Sequence, residues 1–78
     1  MLEEIFKERF RDSVNKSGLS REEIARRAEI TVKLFDKIWE GKFPRMLTFI
    51  KLRIVLNVST DYLLGRTDNP KGFPKARP

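Results

Sequence analysis

Leu19-Ser20-Arg21-Glu22-Glu23-Ile24-Ala25-Arg26-Arg27-Ala28-Glu29-Ile30-Thr31-Val32-Lys33-Leu34-Phe35-Asp36-Lys37-Ile38-Trp39 is the stretch that decides the fold. Ser20 stands where a helix N-cap belongs. Glu23, three residues on, completes a capping box by reaching back to the Ser20 amide, and Leu19 and Ile24 take the two places of a hydrophobic staple. The same staple recurs at Ile30 and Phe35 around Thr31, and at Val58 and Leu63 around Ser59. These signals predict helices over about 21–28, with Ile24, Ala25 and Ala28 inward, and about 32–39, with Phe35 and Ile38 inward. Only Glu29, Ile30 and Thr31 join them. So short a joint makes two helices cross steeply, at roughly 90–120°, and Ala25 is small where they come close.

Working outward, Leu2, Phe6, Phe10 and Val14 recur at four-residue spacing and predict a first helix over about 2–16, stopped by Gly18. Gly41 ends the third helix, and Lys42-Phe43-Pro44-Arg45 forms a loop. A fourth helix over about 46–56 presents Phe49, Leu52, Val55 and Leu56, and a short fifth over about 60–64 ends at Gly65. No strand signal or internal repeat stands out, so the fold class is all-α: a five-helix domain over 1–65. Arg66 to Pro78 contains three prolines and a net charge of +3, four basic residues less Asp68. It reads as a basic, flexible tail.

The chain has 78 residues, 40% of them hydrophobic. A chain of this size buries only about 60% of its unfolded surface, enough for one modest core and not for a deep substrate cavity. No apolar run reaches the length of a membrane span, and the acidic start Met-Leu-Glu-Glu lacks the features of a signal peptide. Cysteine and histidine are both absent. No disulfide framework, thiolate metal site or histidine base is therefore expected, nor any cofactor, and the reading is not an enzyme. The expected location is cytoplasmic. Seventeen Lys and Arg against eleven Asp and Glu give +6 and a pI near 10.1. That balance favours a polyanionic partner, because neutralised phosphates release condensed counterions. A soluble protein that is merely basic has the same composition.

Leu19 to Ala25, Ile30-Thr31, Gly41-Lys42, Ile50-Lys51-Leu52 and Leu56-Asn57-Val58-Ser59, taken together and in register, resemble the Cro and phage-repressor (XRE-type) helix-turn-helix family. Val58 to Pro70 looks like the closing segment of many bacterial and prophage regulators in it. The resemblance covers roughly residues 6 to 70. It implies a repressor-like domain whose helices 2 and 3 form the helix-turn-helix, usually a homodimer on a palindromic operator of double-stranded DNA with half-sites about 34 Å apart. It also implies a bacterial or phage-infected cell, with the protein at the nucleoid. There are departures. Glu29 stands where the family usually has Gly, and a non-Gly residue in a left-handed turn costs roughly 1–2 kcal/mol. Arg21 replaces a frequent Gln, and Leu34 a frequent small polar residue. The loop after Gly41 is one residue shorter. A basic–Glu pair of the family becomes Val14 and Trp39, for which an apolar contact is expected.

By the same resemblance Val32, Lys33 and Lys37 occupy base-reading positions: lysine can donate to guanine O6 and N7, and Val32 can meet a thymine methyl. Arg21, Thr31, Lys42 and Arg45 are the candidate phosphate contacts. Solvated surface charge is the competing account of these cations. Tyr62, Leu63 and Leu64 are candidates for a dimer surface, or else cap the core. Lys71, Lys75 and Arg77 form either a groove-seeking arm or a solvated tail. Two functional classes follow: a transcriptional regulator, foremost a repressor, and a protein-interaction module of antitoxin or anti-repressor type, for which Val32 and Leu34 would offer apolar contact to a protein partner.

Overall fold

Residues 2–72 are described by a computed structural model of the chain. They form α1 (Leu2–Ser17), α2 (Arg21–Ala28), α3 (Val32–Glu40), α4 (Met46–Leu56) and α5 (Thr60–Leu63), with no strand among the described residues. The fold is all-α, and the helix bounds agree with the sequence expectation to within a residue. No helix is long and apolar enough to cross a membrane among these residues.

Each short helix begins as its cap residue dictates. Ser20 Oγ accepts from the Glu23 amide at 3.1 Å, Thr31 Oγ1 from the Leu34 amide at 3.0 Å, and Ser59 Oγ from the Tyr62 amide at 3.0 Å. The other half of the expected capping box does not form. The Glu23 carboxylate turns along α2 and accepts from Arg27 at 2.6 Å and from Arg26, because charged donors on the next turn outcompete a single backbone amide. Those two arginines lower the Glu23 pKa, Arg27 contributing most.

The core gathers the inward faces of all five helices. Phe6, Phe10, Ile24, Ala25, Ala28, Phe35, Ile38, Leu52 and Leu63 are almost wholly buried. Stacked and tilted rings run through it: Phe10 lies 5.5 Å from Phe6 and 5.6 Å from Phe35, and Phe6 lies 4.9 Å from Phe43 and 5.5 Å from Phe49. Such pairs each contribute about 0.5–1.5 kcal/mol beyond their buried area. Leu2, expected on the inward face of α1, is instead nearly half exposed, since the apolar stripe runs off the end of the bundle. Ser13, near the other end of α1, is buried, its hydroxyl donating to the Arg9 carbonyl at 2.8 Å.

The joint between α2 and α3 turns on Glu29, which is left-handed at φ 60°, ψ 40°. Its own amide bonds to the Arg26 carbonyl at 3.1 Å and that of Ile30 to the Ala25 carbonyl at 3.0 Å, closing the end of α2. The side chain finds its own support: Lys51 Nζ on α4 donates to Glu29 Oε1 at 2.9 Å, and that bond lowers the Glu29 pKa. Asn57 ends α4 in the same conformation, at φ 59°, ψ 45°.

The packed chain continues past residue 65, where the sequence reading ends the domain. Arg9 Nη1 donates to the carbonyls of Thr67 (2.8 Å) and Tyr62 (3.2 Å), and its Nη2 to Asp68 Oδ1 (2.8 Å). The Ser59 amide bonds to the Pro70 carbonyl at 2.8 Å. Gly72 is buried against Ser59, at a distance that leaves little room for a Cβ. Side-chain turns at Thr67 and Asn69 bend the segment back. Lys75 and Arg77 lie outside the described residues.

The left-handed turn generates a stability prediction. Glu29→Val, β-branched at positive φ, is expected to melt roughly 5–10 °C below the parent, and Glu29→Gly at or slightly above it. Circular dichroism melting measures both. The lowered pKa values of Glu23 and Glu29 mean that their stabilisation is present above the unfolded value of 4.5 and is lost as pH falls through the folded values. Glu29→Gln should therefore flatten the fall of melting temperature below about pH 4.5.

Candidate functional site

α3 is short and sided. Phe35 and Ile38 anchor it in the core, Val32 and Leu34 pack partly against that core, and Lys33 and Lys37 stand exposed one turn apart. Lys42 follows just beyond the helix, where Gly41 takes φ 131° and the Lys42 amide closes back on the Lys37 carbonyl at 2.9 Å. Lys33, Lys37 and Lys42 line one shallow, open groove with Asp36 and Glu40. Three lysines against two acids leave this face at +1. Of the residues singled out from sequence, the fold thus brings these three lysines to one surface. Thr31 is exposed at the N-terminus of α3, its hydroxyl oxygen already engaged in capping. Arg45 is exposed at the start of α4 and does not line that groove.

Arg21 is placed differently from a solvated cation. Its Nη1 reaches both oxygens of Asp36 on α3, at 2.6 and 2.7 Å, and its Nε reaches Glu22 at 3.3 Å. The Asp36 bond, helped by the charges of Asp36 and Glu22, raises the Arg21 pKa further. About half of the side chain is exposed. Nη2 makes no hydrogen bond among the described residues, so one edge of the guanidinium keeps donors to spare.

The ion-pair pattern separates the cations into two sets. Arg9, Lys16, Arg21, Arg26, Arg27, Lys51 and Arg66 each pair with a carboxylate. Lys33, Lys37, Lys42 and Arg45 pair with none among the described residues. Four further cations are also without a carboxylate partner there: Arg11, held against Trp39, and Lys7, Arg53 and Lys71 elsewhere on the surface, so α3 and the loop that leaves it hold half of the unpaired set.

Sequence reasoning missed what holds α3 from behind. Trp39 and Val14 border one open cleft, and the Trp39 ring stacks 6.2 Å from Phe35, meets Phe10 edge-on at 6.5 Å, and lies 4.9 Å beneath the Arg11 guanidinium. Arg11 also donates twice to the Trp39 carbonyl, at 2.8 and 2.9 Å. An Arg–Trp pair 28 residues apart leaves no local spacing signal to find it by.

Of the two roles expected for Tyr62, Leu63 and Leu64, a dimer surface or a cap on the core, their burial accords with the cap. Leu63 is fully buried and Tyr62 almost so, while Leu64 packs partly against the same core. The Arg9 guanidinium lies 4.5 Å over the Tyr62 ring and the Tyr62 hydroxyl donates to Asp12 at 3.2 Å. Burial, then the bond with Asp12, raises the Tyr62 pKa. α5 caps the core, because its apolar side is what closes the bundle against α1. No group of three or more acidic, histidine or cysteine residues is disposed to hold a metal among the described residues.

Arg11→Ala should cost about 1–2 kcal/mol, from the cation–π contact and the two bonds to a carbonyl. Trp39, the single tryptophan, reports it directly through its fluorescence in urea melts. Comparison with protein-family models, with curated proteins and with solved structures found no match to this chain.

Proposed function

We propose that the chain is a sequence-specific, double-stranded-DNA-binding transcriptional regulator, in which α2 and α3 act as a helix-turn-helix and α3 reads the major groove. The observation that carries this reading is the run of exposed cations on α3 and its exit loop that have no carboxylate partner, half of all the cations lacking one among the described residues. In a chain where most carboxylates are spent on other arginines and lysines, Lys33, Lys37, Lys42 and Arg45 are left to face solvent on α3 and its exit loop. Phosphates are the ligands that such a set satisfies, with a gain from counterion release. Lys33 and Lys37 project from the exposed side of the helix and are the base-reading candidates; Lys42 and Arg45 flank them as phosphate contacts. Val32 is half buried, which limits it to a methyl contact at the groove edge. Thr31 can still donate its hydroxyl proton to a phosphate. Arg21 serves as a phosphate contact only in company with Asp36, whose negative charge tempers it. The protein acts in the cytoplasm, as a homodimer on a palindromic operator and foremost as a repressor.

The protein-interaction reading depended on apolar contact from Val32 and Leu34. Both pack against the core, so α3 offers a partner protein little apolar surface.

Selection from random duplex DNA, followed by salt titration of the recovered sequence, tests the proposal. A two-fold motif is expected, with a log–log salt slope near −5 for about six phosphate contacts. Recovery of no motif by well-folded protein would refute it. Lys37→Ala should relax preference at particular base pairs, whereas Arg45→Ala should weaken all sequences alike and make the salt slope shallower by about one. Asp36→Asn, by releasing Arg21, is expected to strengthen binding to unrelated sequences in the same assay.

A further inference from the structure

α4 carries apolar residues on every side. Phe49, Leu52 and Leu56 face the core, while Met46, Leu47, Ile50 and Ile54 face away from it with 77%, 64%, 37% and 61% of their surfaces exposed. Met46, Ile50 and Ile54 recur every four residues, and Leu47 lies beside them, so the four form one stripe along roughly two turns of helix. A surface helix of a single domain is normally polar on this side. The exposed apolar area is on the order of 400 Å², within the range of patches that mark interaction sites.

We propose that this stripe is a self-association surface, on which α4 of a second copy packs antiparallel about a two-fold axis passing Ile50. The stripe is close to self-complementary about that residue. Met46 lies four positions before Ile50 and Ile54 four after, so an antiparallel partner sets Met46 against its Ile54 and Ile50 against its own counterpart, as an isologous interface requires. Leu47, three positions before, meets Arg53, three after, whose aliphatic stem covers apolar surface while its charge reaches solvent. Arg45, at the N-terminus of α4, comes beside the C-terminal carbonyls of the second α4, where the helix dipole is negative. A helical partner of different sequence would not be expected to match this symmetry.

Area sets the strength. Two such stripes and their rims bury less than the roughly 1,200–2,000 Å² of a stable dimer. Pairing of the free protein is therefore weak, in the range of high-micromolar dissociation constants. Copies that each carry +6 repel one another, so added salt strengthens the pairing. This is opposite in sign to the salt effect on DNA binding, and the inference stands independently of the DNA reading.

Sedimentation equilibrium from about 10 μM to 1 mM at two salt concentrations tests it. The parent is expected to dimerise reversibly, more at high salt, and Ile54→Lys to stay monomeric with an unchanged circular dichroism spectrum. The chain has no cysteine, which permits a second, geometric test. Ile50→Cys on the axis should cross-link to itself on mild oxidation, whereas Asn15→Cys on exposed α1 should not. Adding Ile54→Lys to Ile50→Cys should abolish the cross-link. A parent that is monomeric throughout and an Ile50→Cys chain that cross-links no faster than Asn15→Cys would overturn the proposal. So would dimerisation that persists undiminished in Ile54→Lys, which would place the contact elsewhere.

Discussion

Three residues separate α2 from α3, and within them the chain must turn sharply enough for both helices to meet in one core. Glu29 does this by taking the left-handed conformation that ordinarily belongs to glycine. The other elements are arranged around that turn. α4 reaches it through Lys51, which donates to the Glu29 carboxylate. α1 covers the opposite side through Phe10, whose ring meets Phe35 and Trp39 on α3. Arg21 and Asp36 tie the two short helices directly. The strain of one backbone residue is offset by long-range contacts that also orient the exposed side of α3.

Charge is distributed with the same economy. The acids at Glu23, Glu29, Asp36, Asp61 and Asp68 take up most of the arginines in α1, α2 and the segment after α5, and Lys51 of α4. Half of the cations left without a carboxylate fall on α3 and its exit loop, where Lys33, Lys37 and Lys42 share one groove and Arg45 follows at the start of α4. A net charge of +6 says only that positive charge is in excess; the folded chain shows where that half of the unpaired cations gathers. Arg21 shows the difference. Its sequence position alone suggests a free phosphate contact, yet Asp36 holds it, and a phosphate must share or replace that carboxylate.

Much of the fold was legible because its signals are local. Ser20, Thr31 and Ser59 each cap the helix that follows them, and the i, i+4 spacing of Phe6, Phe10 and Val14 marks the buried side of α1. What was not legible depends on residues far apart in the chain. The Arg9 contacts that draw in Thr67 and Asp68, and the Arg11 contacts on Trp39, span 28 to 59 positions. The Arg9 set explains why the packed chain runs past residue 65. The bounds and inward residues of α4 were legible, but its outward apolar stripe at Met46, Leu47, Ile50 and Ile54 escaped for a different reason. Periodicity identifies an inward side by contrast, and Met46-Leu47-Thr48-Phe49-Ile50-Lys51-Leu52-Arg53-Ile54-Val55-Leu56 has little contrast to read. At the candidate site, the residue types on α3 were readable, whereas the division into paired and unpaired cations needed the folded chain.

The central claim is that the exposed side of α3 and its exit loop meet DNA. Titrating ¹⁵N-labelled protein with short duplex DNA at low salt, and following amide and lysine side-chain resonances, tests it and requires no operator sequence. The account predicts shifts concentrated at Thr31, Lys33, Lys37, Lys42 and Arg45, fading as salt is raised. Shifts confined to α1 or α5, or no shifts at all from folded protein at low salt, would contradict it.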